Sequence, residues 1–206
     1  MYKNHAIECQ RYCRESANNL ADCIMMVSLS IQQDWDKIGI QLDDLRLNGL
    51  DSRFIIWKMK QDNYKYLQRR KHFLYGSYLA VVNSYKSDDH KALSLMKLFT
   101  RLDGINTAKA GFICQLSAGL VGCIDIHNSR LYDIDLTKIA INKKVVSSKG
   151  HQANLVKIKD YVSVCHKIGT SKLWDTWCNA RAIEDNNFAS GYEVSEAHIN
   201  YLINQT

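Results

Sequence analysis

One carboxylate in this chain sits where a carboxylate is costly to keep. Asp125 lies in the run Gly122-Cys123-Ile124-Asp125-Ile126-His127-Asn128-Ser129-Arg130, with an isoleucine on either side. An ionised acid held among apolar neighbours can steady a positive charge that grows on a substrate. It can also orient and deprotonate a water. The plainer alternative is a helix N-cap, with His127 and Asn128 in the turn that follows. His127 reads as a packing or backbone-bonding histidine rather than a ligand.

Upstream stands a second feature, Leu98–Leu116, LFTRLDGINTAKAGFICQL. It has the pattern of one amphipathic helix ending, a tight turn at Asp103-Gly104-Ile105-Asn106, and another helix beginning. Gly104 supplies backbone freedom at the first turn position. Asn106 is the next-best residue for a left-handed position, because its short amide bonds locally. Ile105 between them plugs the core. The helix that starts at Thr107 then turns its unpaired N–H groups and positive dipole end outward, which suits a phosphate. The expected anion-binding set is therefore the backbone of Gly104, Ile105, Asn106 and Thr107. Lys109 and Arg130 add candidate phosphate contacts, or plain surface charge.

Other chemistries find no support. There is no His-x-x-x-His or Glu-paired metal spacing, no phosphate loop of the Gly-Lys-Ser kind and no nucleophile elbow. Cys9, Cys13 and Cys23 fall close together, but a metal reading needs a fourth ligand and only His5 is near. Small buried hydrophobes are the simpler reading. Trp174, Trp177 and Cys178 share one helical face and read as core. Lys58–His72, KMKQDNYKYLQRRKH, carries six Lys or Arg interleaved with Tyr64 and Tyr66. It is either a phosphate-contacting face or a solvated helix face whose stems cover the core, and the second is preferred.

The elements that must position these residues are helical. The chain has 206 residues, 46% of them apolar, which is enough for a sizeable core. It has no proline and only 10 glycines, so little punctuates long helices. Apolar spacing predicts a helix over 5–30 and a loop or short helix within 31–50. A long helix follows from a cap at Asp51 or Ser52 towards Tyr85, with a break near Gly76-Ser77. Further helices are expected after Ser87 or Asp88, from Thr107 to about Ala118, after Asp125, and up to a C-cap at Gly169. Two more follow caps at Thr170 or Ser171 and at Ser195. Residues 133–150 carry no clear assignment. The fold class is all-α with around nine helices. Residues 1–206 read as a single compact unit, with possible lobes 31–132 and 1–30 plus 133–206.

Lys plus Arg is 27 and Asp plus Glu is 21, a net charge of +6. That balance fits a nucleic-acid partner without requiring one. No window approaches 18 uncharged apolar residues, so no membrane partner is expected. The first residues lack the apolar core of a signal peptide. Seven cysteines, an odd count without framework spacing, suit a reducing cytoplasmic setting.

The hairpin and the acid together resemble the helix-hairpin-helix motif of the base-excision DNA glycosylase superfamily, which includes endonuclease III-like and 8-oxoguanine glycosylases. That family's pattern is roughly Leu-Pro-Gly-Val-Gly-x-Lys-x-Ala, then a helix, then a loop ending Val-Asp-x-His-x-x-Arg. Leu102, Gly104, Ile105 and Ala110 match, as do Ile124-Asp125-Ile126-His127 and Arg130 behind them. The matching region spans about Ala92 to Tyr132, with the hairpin at 92–118. The resemblance implies a two-lobed helical fold, with Asp125 as the catalytic carboxylate beside C1′. It also implies a duplex DNA partner with one nucleotide turned out.

The departures shape the expectation. The family's proline is Asp103 here and its second glycine is Asn106. The lysine of bifunctional members falls on Ala108, and Lys109 lies about 100° further round the helix, where it is expected to point elsewhere. The resemblance therefore implies a monofunctional, cofactor-free, monomeric glycosylase that cleaves the N-glycosidic bond with water. Cys165 and Cys178 are too few for the family's iron–sulfur cluster. Trp35, Trp57, Tyr64 and Tyr66 are candidates for the base pocket or wedge. Two alternatives stay open: a superfamily relative acting in thymine hypermodification of viral DNA, and an inactive hairpin module that only binds DNA.

Overall fold

The computed structural model describes residues 2–30, 37–55 and 57–176. Among them the elements are helices, with no strand: α1 (Tyr2–Glu15), α2 (Ala17–Leu29), α3 (Ile38–Asn48), α4 (Lys58–Val82), α5 (Asp88–Phe99), α6 (Thr107–Ala118), α7 (Ile126–Leu131), α8 (Leu136–Ile139) and α9 (Ser148–Ile168). A helical stretch at 170–176 follows. The all-α expectation holds. Trp35, Trp177, Cys178 and the cap expected at Ser195 lie outside the described residues.

The single helix expected over 5–30 is two. Ser16 is extended, with φ −155° and ψ 160°, and its hydroxyl accepts from the Asn19 N–H. The Asn19 amide in turn donates to the Tyr12 carbonyl at 3.0 Å. These local side-chain bonds compete with the helix ladder and win. The long basic helix also differs from expectation. It starts at Lys58 with no side-chain cap, because Ser52 is engaged in the 3-10 turn after α3. It then passes Gly76 without a break, since one glycine in a helix interior costs only about 1 kcal/mol. Ser87 caps α5 through the His90 N–H, and Gly169 ends α9 with φ 99°.

α6 is the axis of the fold. Every residue from Ala110 to Ala118 is buried, so it has no outer face. A helix of that kind needs neighbours on all sides. α1, α2 and α5 supply them, with α4 and α3 packed on α2 and α9 packed on α5. The buried residues of these helices form one hydrophobic cluster.

Gly111, midway along α6, allows the closest approach. A Cβ there would stand 2.5 Å from the Gly122 carbonyl oxygen and 2.3 Å from Tyr161 Oη. Its absence lets residues 122–124 lie against the helix. Tyr161 of α9 fixes them: its hydroxyl donates to Gly122 O and accepts from the Ile124 N–H, both at 2.8 Å. The approach to Asp125 is therefore fixed from two helices.

Candidate active site

The turn between α5 and α6 has Gly104 at φ +65° and Ile105 fully buried beneath it. Asn106 departs from expectation. It is extended, with φ −85° and ψ 178°, and acts as the N-cap of α6. Its Oδ1 accepts from the Thr107 N–H at 2.7 Å and from the Ile141 N–H at 3.2 Å. An asparagine oxygen that satisfies two buried-side donors contributes more there than a left-handed turn would.

The turn's own donors are largely engaged. The Gly104 N–H donates to Asp103 Oδ1 at 3.0 Å, and the Ile105 N–H to Leu102 O at 3.3 Å. With Thr107 capped, the first-turn donors that helix geometry leaves over belong to Ala108 and Lys109. On the opposite side Lys143 gathers the carbonyls. Its ammonium donates to Thr100 O, to Leu102 O at 2.6 Å and to Ile105 O at 3.5 Å. Lys143 lies in the stretch that carried no assignment.

Two residues of the basic segment are structural ties rather than surface charge. Lys60 is buried, donates to Leu29 O at 2.9 Å and stands 5.0 Å from the Trp57 ring centroid. Asn63 donates to Ser28 Oγ at 3.0 Å and to Asp103 O at 2.8 Å. Lys58, Lys65, Arg69, Arg70 and His72 remain exposed.

Asp125 is the N-cap of α7. Both cap bonds, from the His127 and Asn128 N–H groups, fall on Oδ1 at 3.0 Å. Oδ2 takes no part in the cap. The half-buried side chain lines a small pocket with Ala108, Lys109, Phe112, Gln115, Cys123 and Trp174. The cap thus engages one oxygen of the carboxylate and leaves the other outside it.

Lys109 borders the same pocket, against the expectation that it points elsewhere. Its ammonium faces inward and donates to Ser30 Oγ at 3.0 Å. Burial pushes the Lys109 pKa down, opposed in part by the nearby Asp125 carboxylate. Lys60 is likewise depressed by burial, and by the nearby Lys109 charge. Arg130 is exposed in the last turn of α7 and is not among the pocket's residues.

Sequence reasoning missed Phe112, Gln115, Cys123 and Trp174 as pocket walls. Phe112 and Trp174 meet with ring centroids 6.1 Å apart and planes tilted by 46°. Gln115 spans two segments, donating to Thr170 O and accepting from the Cys123 N–H, both at 3.1 Å. Its signal was legible: it is a buried amide in an otherwise apolar stretch of α6. Trp57, Tyr64 and Tyr66 do not line this pocket.

The pocket's volume is about 60 Å³, room for a water or two and not for a nucleobase. A larger groove of about 750 Å³, beside α8 and α9, is lined by Asp133, Asp135, Lys138, Asp160, Lys167 and Lys172 among others. It does not include Asp125. Asp125 and Lys109 both border the smaller pocket, and titratable groups of opposite charge lining one cleft outweigh size as a mark of a candidate site. Comparison with protein-family models, curated proteins and solved structures finds no match to this chain.

Proposed function

We propose that this chain is a DNA glycosylase-like protein of the helix-hairpin-helix class, in which Asp125 promotes hydrolysis of an N-glycosidic bond. The observation that carries the reading is the placing of Asp125. One oxygen is tied in the α7 cap, the other is outside it, and Lys109 of the hairpin's second helix borders the same pocket. Loss of a base builds positive charge on the deoxyribose. A fixed carboxylate stabilises that charge and orients the attacking water. The pocket's size suits that water. The turned-out nucleotide then stays at the mouth, held through its phosphates by the hairpin's first-turn donors and by exposed cations of α4. Asp125 needs no cofactor for this chemistry.

A second reading has an observation of its own. Burial favours the neutral amine of Lys109, which is the nucleophilic form. Attack by that amine on C1′ would displace the base and leave a Schiff base. The notable difference between the two readings is a covalent intermediate that borohydride traps.

One experiment separates the possibilities. Duplexes carrying single damaged or modified bases are incubated with wild type, Asp125→Asn and Lys109→Gln, and abasic sites are scored with and without borohydride. Hydrolysis by Asp125 predicts abasic sites in wild type, a fall of about a hundredfold or more in Asp125→Asn, and no trapped adduct. A trapped adduct that vanishes in Lys109→Gln transfers the chemistry to the amine. Turnover confined to modified pyrimidines points to base hypermodification. Salt-dependent binding without turnover on any duplex, unchanged by Asp125→Asn, rejects the enzyme and leaves a binding module.

A further inference from the structure

Away from the pocket, α1 and α2 bring three cysteines to one point. The sulfur atoms of Cys9, Cys13 and Cys23 all lie within 4.8 Å of one another, and each residue is fully buried. All three are free thiols. Cys9 and Cys13 stand one turn apart on α1, so they share a face, and α2 returns to place Cys23 opposite them. The Ser16 cap and the Asn19 bond to Tyr12 O fix the angle between the two helices.

We infer that this cluster is a zinc site built from three thiolates. Thiolate sulfur selects soft cations such as zinc or copper(I). Zinc–sulfur bonds of about 2.3 Å in a tetrahedral site set the sulfurs about 3.8 Å apart. The sulfurs here need to draw in by no more than about 1 Å, which χ1 adjustments supply without moving the backbone. Three thiols give up their protons to solvent as the ion sheds its waters. Three thiolates and a divalent ion leave one net negative charge, where a monovalent ion would leave two. In so dry an interior the divalent ion is the less costly occupant. The burial also says when the ion enters. A site sealed in the folded state is loaded during folding.

The test uses the whole chain, unfolded under reducing conditions and refolded with Zn²⁺ or Co²⁺, then freed of excess metal. The expected result is one metal ion per chain, with a sulfur-to-cobalt charge-transfer band in the cobalt form. Native mass spectrometry of the zinc form should show the ion's mass less the protons of the displaced thiols. Cys13→Ala should weaken binding by more than about a hundredfold, beyond the 10–100-fold loss typical of an outer-shell partner. Cys165→Ala, remote from the cluster, should keep the metal. A folded wild type that retains less than a tenth of an equivalent, or binds cobalt without the sulfur band, overturns the site. So does full retention in a folded Cys13→Ala. If that variant fails to fold, the cobalt spectrum of wild type decides alone.

Discussion

Replacing Tyr161 by phenylalanine removes one oxygen from the centre of the fold, and its effect can be worked from the structure. That hydroxyl donates to Gly122 O and accepts from the Ile124 N–H, both at 2.8 Å, and the side chain is fully buried. No water can take its place without opening the core. The Ile124 N–H is then orphaned, at about 1–3 kcal/mol. The lost bond to Gly122 O adds about 1 kcal/mol, softened because Cys165 Sγ still donates to that oxygen at 3.4 Å. The total is about 2–4 kcal/mol, or roughly 4–15 °C in melting temperature for a chain of this size. Urea unfolding followed by circular dichroism should show the midpoint fall with an unchanged slope. The contact with Gly111 supplies a second readout. A methyl at Gly111 would stand 2.3 Å from the tyrosine oxygen. Gly111→Ala should therefore cost less in the Tyr161→Phe background than in wild type. A Tyr161→Phe loss under about 0.5 kcal/mol, or strict additivity of the two substitutions, refutes the argument that this oxygen pins the approach to Asp125.

Two further outcomes follow from the same geometry. Asp103 holds an exposed carboxylate against the Gly104 N–H, where the proposed function brings a phosphate. Asp103→Asn keeps an acceptor and removes the charge; at about 6 Å in water that is worth about 0.7 kcal/mol, so duplex affinity should rise roughly threefold at low salt and converge with wild type at high salt. No gain in fluorescence anisotropy titrations would place the phosphates elsewhere. Stability should also fall in alkali. Burial pushes the thiols of Cys114, Cys123 and Cys165 up, the last to about 12. A raised folded-state pKa contributes stability that is complete below the unfolded thiol value of about 8.5 and is lost as pH climbs from there. The depressed Lys60, Lys109 and Lys143 act with the opposite sign below about 10.4. The clean readout is thus the difference between wild type and Cys165→Ala: melting temperature should drop less steeply between pH 8.5 and 10.5 in the variant, and parallel curves would reject the assignment.

Much of this arrangement is written locally. Ser87, Gly104, Asp125 and Gly169 each announce their place because a cap or a positive φ depends on the residue itself and its near neighbours. Ser16 was equally local and equally readable, yet the apolar rhythm through 5–30 masked it. What periodicity does not carry is which distant group satisfies a polar side chain. Lys60, Asn63 and Lys143 look like surface residues by type, and only packing reveals that carbonyls far along the chain receive them. The inward turn of Lys109 has the same origin. Its direction is set by Ser30 at the end of α2 and not by its register on α6. The walls of the pocket were hidden for a related reason, since Phe112 and Trp174 are indistinguishable from core until a cavity appears beside them.

The two side chains of α4 that reach inward have a mechanical corollary. Asn63 grips Ser28 and the Asp103 carbonyl, Lys60 grips Leu29, and Ser30 just beyond them receives Lys109. The outward tip and the enclosed amine are therefore bolted to the same strut. A load applied at the tip is shared with the amine, and the two are displaced together.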